Sequence, residues 1–143
     1  MSRSGYTEDG DDWATIRWRG AVASALRGKR GQAFLREALA ALDALPVHEL
    51  ITNDLVAEGS FCTLGAVGRA RQTDMATVDP EDHDSVAALF SIPHALACEI
   101  MFENDEAGWD ETPARRWKRM RAWIARHIRE PKADDAKPKG GDA

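Results

Sequence analysis

The side chains able to do chemistry in this chain are few and scattered. Cys62 and Cys98 are its thiols, and His48, His83, His94 and His127 its imidazoles. A cysteine nucleophile needs a base to draw off its proton, and that base need not be near in sequence. A cysteine-dependent enzyme using Cys62 or Cys98 with one of the histidines is therefore one reading. Against it stands the apolar setting of both thiols, where a buried, reduced cysteine behaves as a small hydrophobe. A disulfide or zinc framework would call for more cysteines or a C-x-x-C spacing.

The carboxylates offer no clearer chemistry. Glu99 and Glu103 lie four residues apart, a spacing at which like charges on one helix repel, so solvent, a cation or arginines must offset them. His94 precedes Glu99 by five residues and points elsewhere on the same helix, so a salt bridge to basic residues or a solvated edge is expected there rather than a metal. Asp79, Glu81, Asp82 and Asp84 lack the spacing of a calcium loop, and helix capping accounts for them. The chain has no HExxH, GxSxG, Gly-Lys-Ser/Thr or GxGxxG signature. The expectation is a protein with no catalytic residues, no cofactor and no metal.

Charge is more informative than motif. The net charge is −5, but it is segregated. Residues 51–111 hold 2 basic and 13 acidic side chains, and residues 112–143 hold 10 basic and 4 acidic. Arg115, Arg116, Lys118, Arg119, Arg121, Arg126 and Arg129 surround an apolar stripe of Trp117, Met120, Ile124 and Ile128, with Trp123 and His127 beside it. Such a helix can face phosphates, yet the acidic middle can also neutralise it within the fold. Trp109, in the acidic segment 103–111, is the tryptophan expected to stay partly exposed, and an exposed Trp among charges is a common protein-contact anchor. The candidate contact residues are thus Trp109, Arg115, Arg116, Lys118, Arg119 and Arg126.

These residues must be positioned by helices. Asp11 or Asp12 can cap a helix to about Arg27, with Trp13, Ile16, Ala23 and Leu26 as its stripe and Trp18 and Val22 widening it; Gly28 suits a left-handed stop. Over Gly31–Leu45, Phe34, Leu35, Ala38, Leu39, Leu42 and Leu45 follow helical spacing up to Pro46. Ala57–Ser60 reads as a turn. Phe61–Arg71 reads as a short buried helix whose Gly65 and Gly68 admit a neighbouring helix; a strand at Ser60–Thr63 paired with Glu49–Thr52 is the alternative. Asp79-Pro80 and Ser91-Ile92-Pro93 are helix starts. Pro93–Glu103, apolar almost all round, should be the central element. Thr112-Pro113 starts the last helix, which runs to about Arg129.

The fold class expected is mainly α, a single-domain bundle of about five helices over residues 11–130, with room for one short β-hairpin near 49–63. Residues 1–10 read as a disordered lead-in and 131–143 as a disordered charged tail. No apolar run approaches the roughly 18 residues needed to cross a bilayer, and Met1–Asp12 lacks the pattern of a signal peptide. A cytoplasmic protein without membrane contact is expected. Oligomeric state is not legible.

Four segments carry a resemblance: Arg27–Glu37, Phe61–Ala70, Glu103–Glu106, and Glu111-Thr112-Pro113 through Arg121-Ala122-Trp123. Cys62-Thr63-Leu64-Gly65-Ala66 follows a CALGA pattern with Thr63 in place of Ala. Over roughly residues 14–128 the chain resembles a family of small uncharacterised proteins of tailed bacteriophages and prophages. That resemblance implies a bacterial cytoplasm as the setting and assigns no activity or functional residue. The resulting expectation is a phage-type accessory protein, non-catalytic, binding a host or phage protein in host takeover, anti-defence or regulation. A nucleic-acid-binding regulator using residues 112–129 is the alternative.

Overall fold

A computed structural model describes residues 12–108 and 110–129, with side chains from residue 16 onward. Trp109, the lead-in 1–10 and the tail 131–143 lie outside the described residues. Among those described, the chain forms α1 (Asp12–Arg27), α2 (Lys29–Ala44), β1 (Val56–Ala57), β2 (Ser60–Phe61), α3 (Thr63–Arg71), α4 (His83–Phe90), α5 (His94–Asp105) and α6 (Pro113–His127). The molecule is mainly helical, with one antiparallel hairpin in which Val56 pairs with Phe61 and Ala57 with Ser60. No single helix among the described residues is long and apolar enough to cross a membrane.

Glycine placement decides how the first two helices meet. A single residue, Gly28, separates α1 from α2, and its backbone is extended (φ −68°, ψ 162°) rather than left-handed. It ends α1 by serving as the N-cap of α2, so the expected left-handed stop does not form. The elbow closes tightly enough that a Cβ on Gly31 would lie 1.8 Å from the Ala25 carbonyl oxygen. Gln32, beside it, is buried. Its side-chain nitrogen donates to the carbonyls of Leu26 (2.7 Å) and His127 (2.9 Å). Its side-chain oxygen accepts from the Arg129 backbone N–H (2.8 Å). One side chain thus ties together the end of α1, the start of α2 and the end of α6.

The core lies where α2 packs on α3 and α6, and α5 on α1, α3 and α4. Ala95–Met101 of α5 are buried without a break, as expected of a helix apolar on every face. It shares the centre with α2, whose Phe34, Leu35, Ala38, Ala41 and Leu42 are also buried. On α1 the buried stripe is Val22 and Leu26, with Trp18 packed against them. Ile16 is 60% exposed, which corrects the expected phase of that helix. Positions 18, 22 and 26 recur every four residues and define the inward face, and Ile16 falls off it.

The short hairpin expected near 49–63 forms at residues 56–61, around a Glu58-Gly59 turn with φ of 51° and 79°, the geometry of a two-residue hairpin turn. Two details differ from expectation. Residues 49–52 contribute only the Ile51 N–H bond to the Phe61 carbonyl (3.0 Å). Helix α4 begins at His83 rather than at Pro80. Asp79 spends its carboxylate on the Glu81 N–H (2.9 Å). Asp82 takes over the cap, accepting from the Ser85 N–H (3.2 Å) and hydroxyl (2.7 Å).

Candidate functional site

Helix α6 begins where Thr112 accepts from the Arg115 N–H (3.1 Å), with Pro113 at its first position. Trp117, Met120, Trp123 and Ile124 are buried, and Ile128 packs at the edge of the core. The Trp117 indole N–H donates to the Leu42 carbonyl (2.9 Å), and its ring stacks on His48 at 3.9 Å. The apolar stripe therefore faces inward as its spacing predicts, and the question is what the cations do.

They divide into two sets. Arg116 is tied to Glu111 (3.4 Å) and donates to the Leu50 carbonyl (2.9 Å). Arg119 forks onto Glu111 at 2.5 and 3.0 Å, and reaches Glu103 at 3.3 Å and the Asn104 carbonyl at 3.4 Å. Arg121, on the other flank, forks onto Asp43 at 2.6 and 3.0 Å. The acidic middle thus neutralises Arg116 and Arg119 inside the fold, which withdraws them from the candidate contact surface. Arg115, Lys118 and Arg126 remain exposed. No ion pair or side-chain hydrogen bond is formed by these three among the described residues. At 100° per residue they fall within one narrow arc of the helix, opposite the buried face, and span about 16 Å along it.

Glu111 is the keystone of the internal set, with its side chain 9% exposed. Hydrogen bonding to Arg119 holds its carboxyl below the ordinary range, against the opposing effect of burial. Bonding to Arg71 does the same for Glu37, and bonding to Arg121 for Asp43. Glu103 moves the other way, because burial outweighs the attraction of Arg119. Groups with lowered folded values stabilise above the unfolded carboxylate range and lose that contribution as pH falls through the folded value. Glu103 has the opposite sign and partly offsets them. Acidification should therefore destabilise the protein, starting as pH drops below the ordinary carboxylate range. Glu111→Gln should lower stability at pH 7 by about 2 kcal/mol, because part-buried Arg116 loses its counter-ion and Arg119 keeps only Glu103. It should also flatten the acid limb of a melting-temperature profile between pH 7 and pH 3.

Glu99 and Glu103, the carboxylate pair on α5, sit in different surroundings. Glu99 is buried, while Glu103 meets Arg119. An arginine, one of the offsets that spacing calls for, thus lies beside Glu103.

The thiols part company. Cys62 is fully buried, and its sulfur accepts from the Gly65 N–H (3.3 Å), capping α3. Cys98 is also buried and free, but its sulfur lies near the rings of His83 and His94, with one ligand atom from each of the three residues within 4.8 Å of the others. Burial, with lesser contributions from Asp84 and Glu99, pushes the Cys98 thiol up to about 12. A thiol held protonated is a poor nucleophile. His83 and His94 stack at 4.5 Å, and His94 Nδ1 meets Asp84 at 3.3 Å. Sequence spacing hid this group. His94 and Cys98 are one helical turn apart on α5, but His83 joins them only because the chain turns through 107° between α4 and α5.

In comparisons with known proteins, no protein family, no curated protein and no solved structure gives a significant match to this chain.

Proposed function

We propose that this protein is a phage-type accessory factor that works by docking an acidic surface of a host or phage protein onto the exposed edge of α6, without catalysis. The observation that carries the reading is the division of cations on that helix. Arg116, Arg119 and Arg121 are consumed by Glu111, Glu103 and Asp43. Arg115, Lys118 and Arg126 stay exposed on the face opposite the core, and of the three only Arg126 acts on Glu103, at longer range than an ion pair. An exposed set of cations without ion-pair partners presents positive charge that complements an acidic surface. The phage setting rests on the resemblance of Cys62–Ala66 and its companion segments.

The same edge also suits a phosphate backbone, and the aligned cations favour that as the second reading. The two separate cleanly. Immobilised full-length protein should retain a specific protein from bacterial lysate, and the charge reversal Arg115→Glu/Lys118→Glu/Arg126→Glu should lose it while melting at the same temperature. A mobility-shift titration of duplex DNA at two salt concentrations tests the alternative. Binding that weakens steeply as salt rises, and disappears in the triple variant, would replace protein docking by phosphate neutralisation. Failure of both assays would overturn the role of the edge.

A further inference from the structure

We propose that His83, His94 and Cys98 form a binding site for a zinc-type divalent transition metal ion, held by two imidazole nitrogens and one sulfur at the junction of α4 and α5. The donor set is chemically selective. Imidazole and thiolate together suit zinc and its neighbours in the transition series, and not calcium or magnesium, which take oxygen ligands. The three ligand atoms already lie within 4.8 Å of one another. Tetrahedral bonds of about 2.0–2.3 Å require ligand atoms roughly 3.3–3.8 Å apart. Closure therefore asks for a movement of about an ångström, shared among side chains of which His94 is 43% exposed.

Two further features belong to a ligand site. His83 Nδ1 is buried and makes no hydrogen bond among the described residues. A buried polar atom in that condition is costly, and a metal ion would satisfy it. His94 meets the Asp84 carboxylate through Nδ1 at 3.3 Å. An imidazole held by a carboxylate through one nitrogen offers the other to a metal, and the carboxylate fixes its orientation and raises its basicity. The three residues leave a fourth coordination position for water or for a ligand from a partner. On binding, Cys98 releases its thiol proton to solvent and ligates as thiolate. The ion would clamp the start of α4 onto α5. Trp18 of α1, whose ring meets His94 edge-on with centroids 6.0 Å apart, would report its arrival.

Cobalt(II) titration of the full chain, carrying no polyhistidine tag and kept reduced with a non-chelating phosphine, is the test. The proposal predicts one cobalt per chain, a sulfur-to-cobalt charge-transfer band in the near ultraviolet, displacement by zinc, and a rise in melting temperature with zinc. Cys98→Ser should abolish the band. His83→Ala and His94→Ala should each weaken binding about 100-fold, and Asp84→Asn about tenfold. Cobalt binding without the charge-transfer band would overturn the site, as would affinity unchanged in both histidine variants. Should Cys98→Ser fail to fold, the band in the native protein and the losses in His83→Ala and His94→Ala decide the matter without it.

Discussion

Gly65→Ala should destabilise the protein by about 3–4 kcal/mol and leave little folded material at 37 °C. A Cβ at this position would sit 1.8 Å from the Leu55 carbonyl oxygen and 2.8 Å from its carbon. Both atoms are backbone, and that carbonyl also accepts from the Cys62 N–H at 3.2 Å. Relief therefore requires the loop before β1 to move away from α3, breaking the bond and opening the core around Leu55 and Leu64, both buried. Alanine is the better helix former by about 1 kcal/mol, but overpacking against an immovable neighbour outweighs that gain. Gly68→Ala supplies the control. Its Cβ would meet the Met75 sulfur at 2.3 Å, at the far end of a flexible side chain that can swing aside, so the loss should be no more than about 1–2 kcal/mol. Urea unfolding of the three proteins measures both. Equal midpoints for Gly65→Ala and the native chain would show that the Leu55 loop is not fixed against α3.

Asn104→Ala should cost about 3–4 kcal/mol. Asn104 is 1% exposed. Its side-chain oxygen accepts from the Thr63 N–H (3.0 Å) and hydroxyl (2.8 Å). Its side-chain nitrogen donates to the Ile51 carbonyl (2.9 Å) and to Asp105 (2.8 Å). One amide thus joins the end of α5 to the first turn of α3 and to the segment entering the hairpin. Alanine leaves a buried N–H, hydroxyl and carbonyl without partners, and each lost partner in such a place costs on the order of 1 kcal/mol or more. Asn104→Asp keeps the acceptor but loses both donors and adds a charge beside Asp105, so it should rescue nothing. Thermal melts would show a fall of about 10 °C or more for either variant. A fall within two degrees would mean that water replaces the amide, contradicting its role as a buried hub.

These two positions also explain what the sequence could and could not reveal. Helices announced themselves where their signals were local. The Thr112-Pro113 start, the Gly31–Leu45 periodicity and the all-apolar Pro93–Glu103 stretch each map onto the helices found, because caps, proline and 3.6-residue spacing act within a few residues. Errors arose where two local signals competed. Asp79-Pro80 and Asp82-x-x-Ser85 are both good starts, and only the turn at residues 79–82 decides for the second. Gly65 was legible as a site of close approach, but what approaches is the Leu55 carbonyl rather than a helix. Gln32 and Asn104 looked like ordinary polar residues, since their partners lie up to 97 residues away in sequence. A pairing of Cys98 with a histidine was open from the sequence, but which histidines meet it depends on the turn between α4 and α5.

The Cys62–Ala66 segment holds the fold together at each of its five positions. Cys62 caps α3, Thr63 meets Asn104, Leu64 and Ala66 fill the core and Gly65 admits Leu55.

The proposed function depends on one claim: the cations of α6 are split between an internal set and a free set. Single alanine substitutions at Arg115, Arg116, Lys118, Arg119 and Arg126, each followed by thermal melting, test it directly. Arg116→Ala and Arg119→Ala should each lower the melting temperature by about 5 °C or more, because each leaves Glu111 short of a counter-ion in a part-buried position. Arg115→Ala, Lys118→Ala and Arg126→Ala should melt within about a degree of the native protein. A uniform small effect across all five would contradict the account, returning the whole helix rim to the status of an undifferentiated solvated face.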